Sequence, residues 1–280
     1  MDLVLQRKSA LDPALLERLA ALTQAQAIEP LETPDSHTAR LSAAQHHDKI
    51  APLCRAAGVD QAWIADGRRL GDFGLFVTDM DSTLINIECI DEIADVHGVK
   101  AEVAAITAAA MRGEFDFRAS LSRRVALLAG LNESALSEVY EQRLQLNPGA
   151  EALIRGLKAA GLKTAMVSGG FTFFTERLKA RLGFDYAWAN QLEIVDGRLT
   201  GRVIGPIIDG QAKALHLIAT RDVLGLRPDQ VISAGDGAND IPMLRAGGFG
   251  VAYRAKPALR EVATCCIDHV GLDGILRLFS

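Results

Sequence analysis

Two aspartates set two apart, Asp79 and Asp81, follow the apolar run Leu75-Phe76-Val77. In an extended strand alternate side chains share a face, so Asp79 points out of the strand's end and Asp81 lies just beyond it on the following loop. Open α/β sheets bind ligands at the carboxyl ends of their strands. One carboxylate there can serve as a nucleophile while its neighbour moves protons. Asp is also common in the turns that end strands, so the pair alone leaves a structural reading open. Two more runs end in compatible chemistry. Thr164-Ala165-Met166-Val167 leads into Ser168-Gly169-Gly170, a hydroxyl with backbone N–H groups that glycine leaves uncovered. A phosphate oxygen suits that arrangement when a helix starts just after it, although a plain strand-to-helix turn would look the same. The third run, Val231-Ile232-Ser233-Ala234, enters Gly235-Asp236-Gly237-Ala238-Asn239-Asp240. Acids four apart around an Asn suit a hard cation such as Mg²⁺, which takes oxygen ligands and is held by one or two carboxylates plus substrate phosphate. A Gly-rich loop with capping acids is the bland alternative.

Three strands must therefore deliver their ends to one place. From about Phe73 the chain alternates strands with helices, the pattern of a parallel, Rossmann-like α/β sheet. After the strand at 75–79 comes a long helical insert, from Glu88 to about Leu146, placed to form a cap over the strand ends. A helix over 149–160, the strand to Val167, another helix and a hairpin turning at Asp196-Gly197 follow. A helix from about Gln211 to Leu224 precedes the strand before Asp236, and short strands at 249–252 and 265–267 lead to a final helix. Residues 1–70 read as a separate α+β unit. Leu3-Val4-Leu5 is strand-like, Asp12-Pro13 opens a helix, strands fall near 28–32 and 38–41, a second helix spans 48–57 to Gly58, and 61–65 closes as a strand. The order β-α-β-β-α-β resembles the ACT-type ferredoxin-like fold, which often senses amino acids. A structural or dimerising role fits the order equally well, so a homodimer is among the expectations.

The chain has 280 residues, 49% hydrophobic and 23% charged, with a net charge of −5. That length suits one large domain with a small one: 1–70, then 73–280 with its cap at about 88–146. The acidic balance and the lack of a basic run argue against nucleic acid or an anionic membrane as partner. No apolar stretch approaches 18 residues and the N-terminus lacks a signal-peptide pattern. Cys54, Cys89, Cys265 and Cys266 show neither metal-ligand spacing nor a disulfide framework, which points to a reducing cytoplasm. His46-His47 reads as a solvated helix face and Cys265-Cys266 as part of a buried strand.

In combination, Asp79-Met80-Asp81-Ser82-Thr83-Leu84, Val167-Ser168-Gly169-Gly170-Phe171, Lys213 and Gly235-Asp236-Gly237-Ala238-Asn239-Asp240 resemble the haloacid-dehalogenase-like superfamily of phosphotransferases. Glu88, Met111-Arg112-Gly113, Phe117 and Arg123-Arg124-Val125 extend the resemblance to its phosphoserine phosphatase branch, over about residues 73–280. The resemblance implies an Mg²⁺-dependent hydrolase that releases L-serine from a small-molecule phosphate ester through an aspartyl-phosphate, in the last step of serine biosynthesis. It makes Asp79 the nucleophile and Asp81 the acid–base group. Asp79, Asp236 and the backbone carbonyl of Asp81 become metal ligands, and Lys213, Ser168, Gly169 and Asn239 become phosphate contacts. Lys213 has no local signal of its own. Asp240 is expected to support the metal loop rather than to ligate. Members that dehalogenate need no acid two residues after the first, and pumps of this superfamily carry Thr there, so Asp81 favours rapid hydrolysis or transfer to an alcohol. A related phosphatase, a phosphotransferase acting on homoserine, and a non-enzymatic amino-acid sensor built on residues 1–70 remain the alternatives.

The insert carries one anomaly legible from geometry. In a helix from about Asp116, Phe117, Leu121, Val125 and Leu128 form an apolar stripe, and at about 100° per residue Arg124 falls within roughly 20° of Phe117 and 40° of Leu128. Arg123 points elsewhere. A guanidinium in an apolar stripe is costly unless an anion meets it, or unless its stem packs while its head reaches water. The resemblance selects the first reading: Arg124 grips the substrate carboxylate, Glu88 its ammonium, and Met111 and Phe117 wall the pocket. Read without the resemblance, Glu88 is simply an acid placed well for the helix dipole, and Met111 and Phe117 could equally be core.

Overall fold

The computed structural model describes residues 1–33 and 36–280, omitting the side chains of 31–36. The first elements are β1 (Asp2–Arg7), α1 (Pro13–Thr23), β2 (Ala27–Thr33), β3 (Ser36–Ser42), α2 (Ile50–Ala57) and β4 (Asp60–Ile64). They form a four-stranded antiparallel sheet in the order β2-β3-β1-β4. Alternation divides its residues: Leu3, Leu5 and Leu41 pack with Leu19 of α1 and Ile50 and Cys54 of α2. Val4, Ala62 and Ile64 face the other way and join the main core. Asp12 caps α1, its carboxylate accepting from the Ala14 N–H at 3.0 Å, with Pro13 in the first turn. Gly58 ends α2 at φ +64°, as a left-handed cap requires. His46 and His47 sit in the loop before α2 rather than on a helix. His46 packs on Trp63 with ring centroids 5.2 Å apart, and His47 Nδ1 accepts from the Lys49 N–H.

The second set begins with β5 (Leu75–Thr78) and the helical insert: α3 (Cys89–His97), α4 (Lys100–Met111), α5 (Phe117–Ala126), α6 (Ser134–Glu138) and a π-turn at Val139–Arg143. Then follow α7 (Ala150–Ala159), β6 (Lys163–Phe171), α8 (Thr172–Leu182), β7 (Tyr186–Val195), β8 (Arg198–Ile204), α9 (Gly210–Val223), β9 (Val231–Gly235), α10 (Ile241–Ala246), β10 (Phe249–Tyr253), α11 (Pro257–Arg260), β11 (Cys265–Ile267) and α12 (Gly274–Arg277). The sheet order is β11-β10-β9-β5-β6-β7-β8, parallel except for β8. Every residue of β5 is buried, as a central strand covered on both faces demands. Because β6 lies on one side of β5 and β9 on the other, their carboxyl ends flank the crevice at the switch of strand order.

β6 runs on to Phe171 instead of ending at Val167. The β6–β7 register shifts between Val167 and Phe171, so Ser168-Gly169-Gly170 bulges from the ladder before Phe171 re-pairs with Asn190. The two sheets are joined by hydrogen bonds. Asp60 accepts from the N–H groups of Asp268, His269 and Val270 at 2.8, 2.9 and 3.0 Å, and Gln6 Nε2 donates to the Gly274 carbonyl at 3.0 Å. Among the described residues no helix is long and apolar enough to cross a membrane.

Candidate active site

Asp79 follows β5 directly and is 3% exposed. Its N–H donates to the Ala234 carbonyl at 3.0 Å, which locks it to the end of β9. Its Oδ1 accepts from the Met80 N–H at 2.7 Å, and Lys213 Nζ lies 2.6 Å from its Oδ2. Lys213 stands in the first turn of α9, buried behind Asp79, and also donates to Asp240 Oδ1 at 2.8 Å. Burial alone would strip its proton, but the carboxylates of Asp240 and Asp79 outweigh burial and hold its pKa above the ordinary lysine value. Asp240 spends both oxygens inside the protein: Oδ2 accepts from the N–H groups of Asp236 and Gly237. It holds the metal-type loop in shape.

Asp79, Asp236 and Asp240 bring carboxylate oxygens within 4.8 Å of one another, all buried. One buried ammonium cannot balance three carboxylates, and burial together with the Asp240 charge drives the Asp79 pKa well up. Lys256, exposed at the rim, approaches Asp236 Oδ2 at 3.2 Å. A cluster of hard oxygen donors with excess negative charge is what a divalent cation needs, so the donor set fits one. Asp81 stands outside this carboxylate cluster. Its Oδ1 accepts from the Cys89 N–H at 3.4 Å, and burial followed by the Glu88 charge pushes its pKa up to about 7.

The cradle after β6 faces the same place. The Ser168 hydroxyl, fully buried, accepts from the Gly170 N–H at 2.9 Å. A Cβ on Gly170 would lie 2.8 Å from Asp81 Oδ2, and one on Gly169 would lie 3.0 Å from the Phe117 ring, so only glycine lets the backbone pass.

The insert closes the other side. Glu88 occupies the N-cap position of α3 without capping it; its Oε1 instead accepts from the Ser82 hydroxyl at 2.7 Å. Arg124 projects from α5, whose Leu121 and Val125 are buried, and its Nε is buried with no hydrogen-bond partner. Burial lowers its pKa, and Asp91, Glu88 and Asp81 oppose that. Arg123 stacks on Phe115 at 4.4 Å, away from the stripe. A cavity of about 530 Å³ is lined by Asp79, Asp81, Glu88, Met111, Phe117, Arg124, Ser168, Gly169, Asp236 and Asn239. Lys213, the remaining site residue expected from the sequence, meets the cavity only through Asp79.

The sequence reading missed four residues that shape this site. Lys256 lies on the loop after β10 and carries no local signal. Ser82 and Cys89 act on Glu88 and Asp81 through contacts made only in the fold. Asn190 had a weak signal, an amide in the middle of an otherwise strand-like run where Asn is disfavoured.

Known proteins are similar to this chain in sequence and in fold. The phosphoserine phosphatase of Albidiferax ferrireducens is 52% identical over 234 residues, 82% of this chain and 99% of its own. The crystal structure of a probable phosphoserine phosphatase from Vibrio cholerae, unliganded, superposes with a TM-score of 0.87 at 39% identity over 99% of this chain and 86% of the other. A substrate-bound phosphoserine phosphatase complex matches 74% of this chain and 99% of its own at 40% identity, with a TM-score of 0.69. The family model for haloacid dehalogenase-like hydrolases matches residues 76–245, the span that runs from β5 to α10. With that match and the closeness of its relatives, the chain belongs to the haloacid dehalogenase-like hydrolases.

Proposed function

We propose that this chain is an Mg²⁺-dependent phosphoserine phosphatase, hydrolysing O-phospho-L-serine to L-serine and phosphate in serine biosynthesis. The observation that carries the reading is one cavity lined by two unlike sets of groups. Asp79 and the Ser168–Gly170 cradle come from the strand ends, and Glu88 and Arg124, whose Nε has no hydrogen-bond partner, come from the insert. A phosphate, an ammonium and a carboxylate on a short carbon chain complement those groups in charge. The relatives bearing this activity support the same substrate.

A carboxylate approaching a phosphate dianion meets repulsion of about 10 kcal/mol at contact for an effective dielectric of about 20. Asp79 and Asp236, with the Asp81 carbonyl, would hold Mg²⁺, which when bound supplies charge neutralisation on the phosphoryl oxygens. Lys213 opposes the rise in the Asp79 pKa and aims its carboxylate, and the cradle's hydroxyl and N–H groups take phosphoryl oxygens. Asp79 Oδ attacks phosphorus in line with the serine oxygen, forming the acyl phosphate as the P–O(serine) bond breaks. Asp81, its pKa near 7, gives its proton to the leaving serine oxygen and then takes one from the water that hydrolyses the aspartyl-phosphate. Arg124 grips the substrate carboxylate in a two-pronged pairing while Glu88 meets the ammonium. Phe117 and Met111 exclude water from the bound chain. We further propose two domains, 1–70 with an ACT-like fold and 73–280 with the cap at about 88–146, and a cytoplasmic site of action. Four free thiols suit that compartment.

Phosphate release from L-phosphoserine, phosphothreonine, phosphoethanolamine, glycerol phosphate and p-nitrophenyl phosphate tests the reading. A strong preference for phosphoserine that EDTA abolishes is expected. Equal turnover of esters lacking the amino or carboxylate group would refute the assignment of Glu88 and Arg124.

A further inference from the structure

Asn190 is 1% exposed in β7, where a strand interior has little use for a carboxamide. Its two ends are both spent on backbone. Nδ2 donates to the Gly169 carbonyl at 2.8 Å and Oδ1 accepts from the Ile208 N–H at 2.8 Å. The side chain thus replaces the ladder hydrogen bonds lost where Ser168–Gly170 bulges from β6. In a trans peptide the carbonyl and the following N–H point in opposite directions. Holding the Gly169 carbonyl toward β7 therefore turns the Gly170 N–H the other way, to the Ser168 hydroxyl and the cavity. The second bond fixes Ile208, immediately before Asp209, which caps α9 and accepts from the Ala212 N–H at 2.9 Å. Lys213 lies one turn further on.

The β7–β8 hairpin carrying Asn190 is also bound to the cap. The Gly130 N–H donates to the Leu199 carbonyl at 2.8 Å, the Leu199 N–H to Leu131 at 2.9 Å and the Glu133 N–H to Gly197 at 2.9 Å. One carboxamide thus joins three parts: the cradle, the start of the lysine helix and a hairpin hydrogen-bonded to the cap.

We infer that Asn190 is a positioning residue that aims the Gly169–Gly170 peptide and the Lys213 helix at the phosphoryl group and ties both to the cap. The inference rests on the phosphatase reading above, and its substrate-independent readout is the affinity of the Mg²⁺-loaded protein for orthovanadate. Asn190→Leu removes both bonds at similar volume, and Asn190→Asp keeps only the acceptor for Ile208. In correctly folded protein, checked by circular dichroism and thermal melting, both variants should bind orthovanadate at least 10-fold more weakly. L-serine affinity should stay within about 2-fold, because Glu88 and Arg124 do not touch Asn190. The phosphomonoesterase kcat should fall in step with the vanadate affinity, more steeply in Asn190→Leu than in Asn190→Asp. Equal weakening of orthovanadate and serine would reduce Asn190 to general packing and overturn the inference, as would wild-type vanadate affinity in Asn190→Asp. If Asn190→Leu does not fold, Asn190→Asp alone decides by the same two affinities. Failure of the phosphoserine assignment would show instead in the wild-type protein, as turnover of other esters with orthovanadate binding intact.

Discussion

The two ends of the cavity are built differently. At the Asp79 end the charged groups are buried and engaged: Lys213 is shared by Asp79 and Asp240, and both oxygens of Asp240 are occupied. At the cap end the groups are half-buried or exposed. Arg124 Nε lacks a partner, and Met111 is 80% exposed although it lines the cavity. The acidic end is preorganised, so little reorganisation remains to be done when charge develops there. On the proposed function, a substrate carboxylate would meet Arg124 and so complete the cap end. On the proposed function, chemistry falls to the strand-end groups and selectivity to the cap groups, and substitutions should separate the two in measurement.

The largest effect belongs to Lys213→Met. It leaves three buried carboxylates without their ammonium, so kcat should drop by about 10³-fold or more and the fold should lose roughly 3–5 kcal/mol. Single-turnover kinetics and thermal melting with excess Mg²⁺ measure the two losses. A variant with near wild-type kcat would show that the buried end is scaffolding only.

Asp81→Asn comes next, with kcat reduced roughly 10²–10⁴-fold, the usual range for a lost acid–base group. The raised pKa gives a sign to the pH dependence. The protonated acid is the form needed for leaving-group departure, so wild-type kcat/KM should decline as pH rises through about 7. The asparagine variant should lack that alkaline limb. Persistence of the limb would assign it to another group.

Arg124→Leu should act on the other end alone. Loss of a charge-assisted pairing of about 1.5–3 kcal/mol raises KM for phosphoserine roughly 10- to 100-fold. Turnover of p-nitrophenyl phosphate, which has no carboxylate, should stay within about 2-fold. Equal losses on both esters would merge the two ends into one functional unit.

Much of this organisation is legible along the chain. Leu75-Phe76-Val77 before Asp79 reads as a buried strand because it lies at the centre of a sheet covered on both faces. Asp12-Pro13 and Gly58 mark helix ends through their own backbone preferences. The Asp196-Gly197 turn forms where both residues take positive φ, 52° and 71°. Arg124 is visible as a cation in an apolar stripe because helical periodicity is local. The continuation of β6 to Phe171 was not visible, since a bulge is set by the partner strand. The place of His46 and His47 in a loop rather than on a helix likewise follows from packing against Trp63 and from the start of α2.

By itself, then, the sequence determined which residues can do chemistry and which elements carry them. Strand and helix periods, caps and glycine-bearing turns are all short-range properties. Tertiary structure alone decided which of these groups share a proton, a charge or a backbone amide. Lys213 meets Asp79 across 134 positions, and Asn190 spans the Gly169 carbonyl and the Ile208 N–H from a third strand. Such contacts depend on desolvation and on angstrom-scale geometry between segments remote along the chain, and no local preference encodes either.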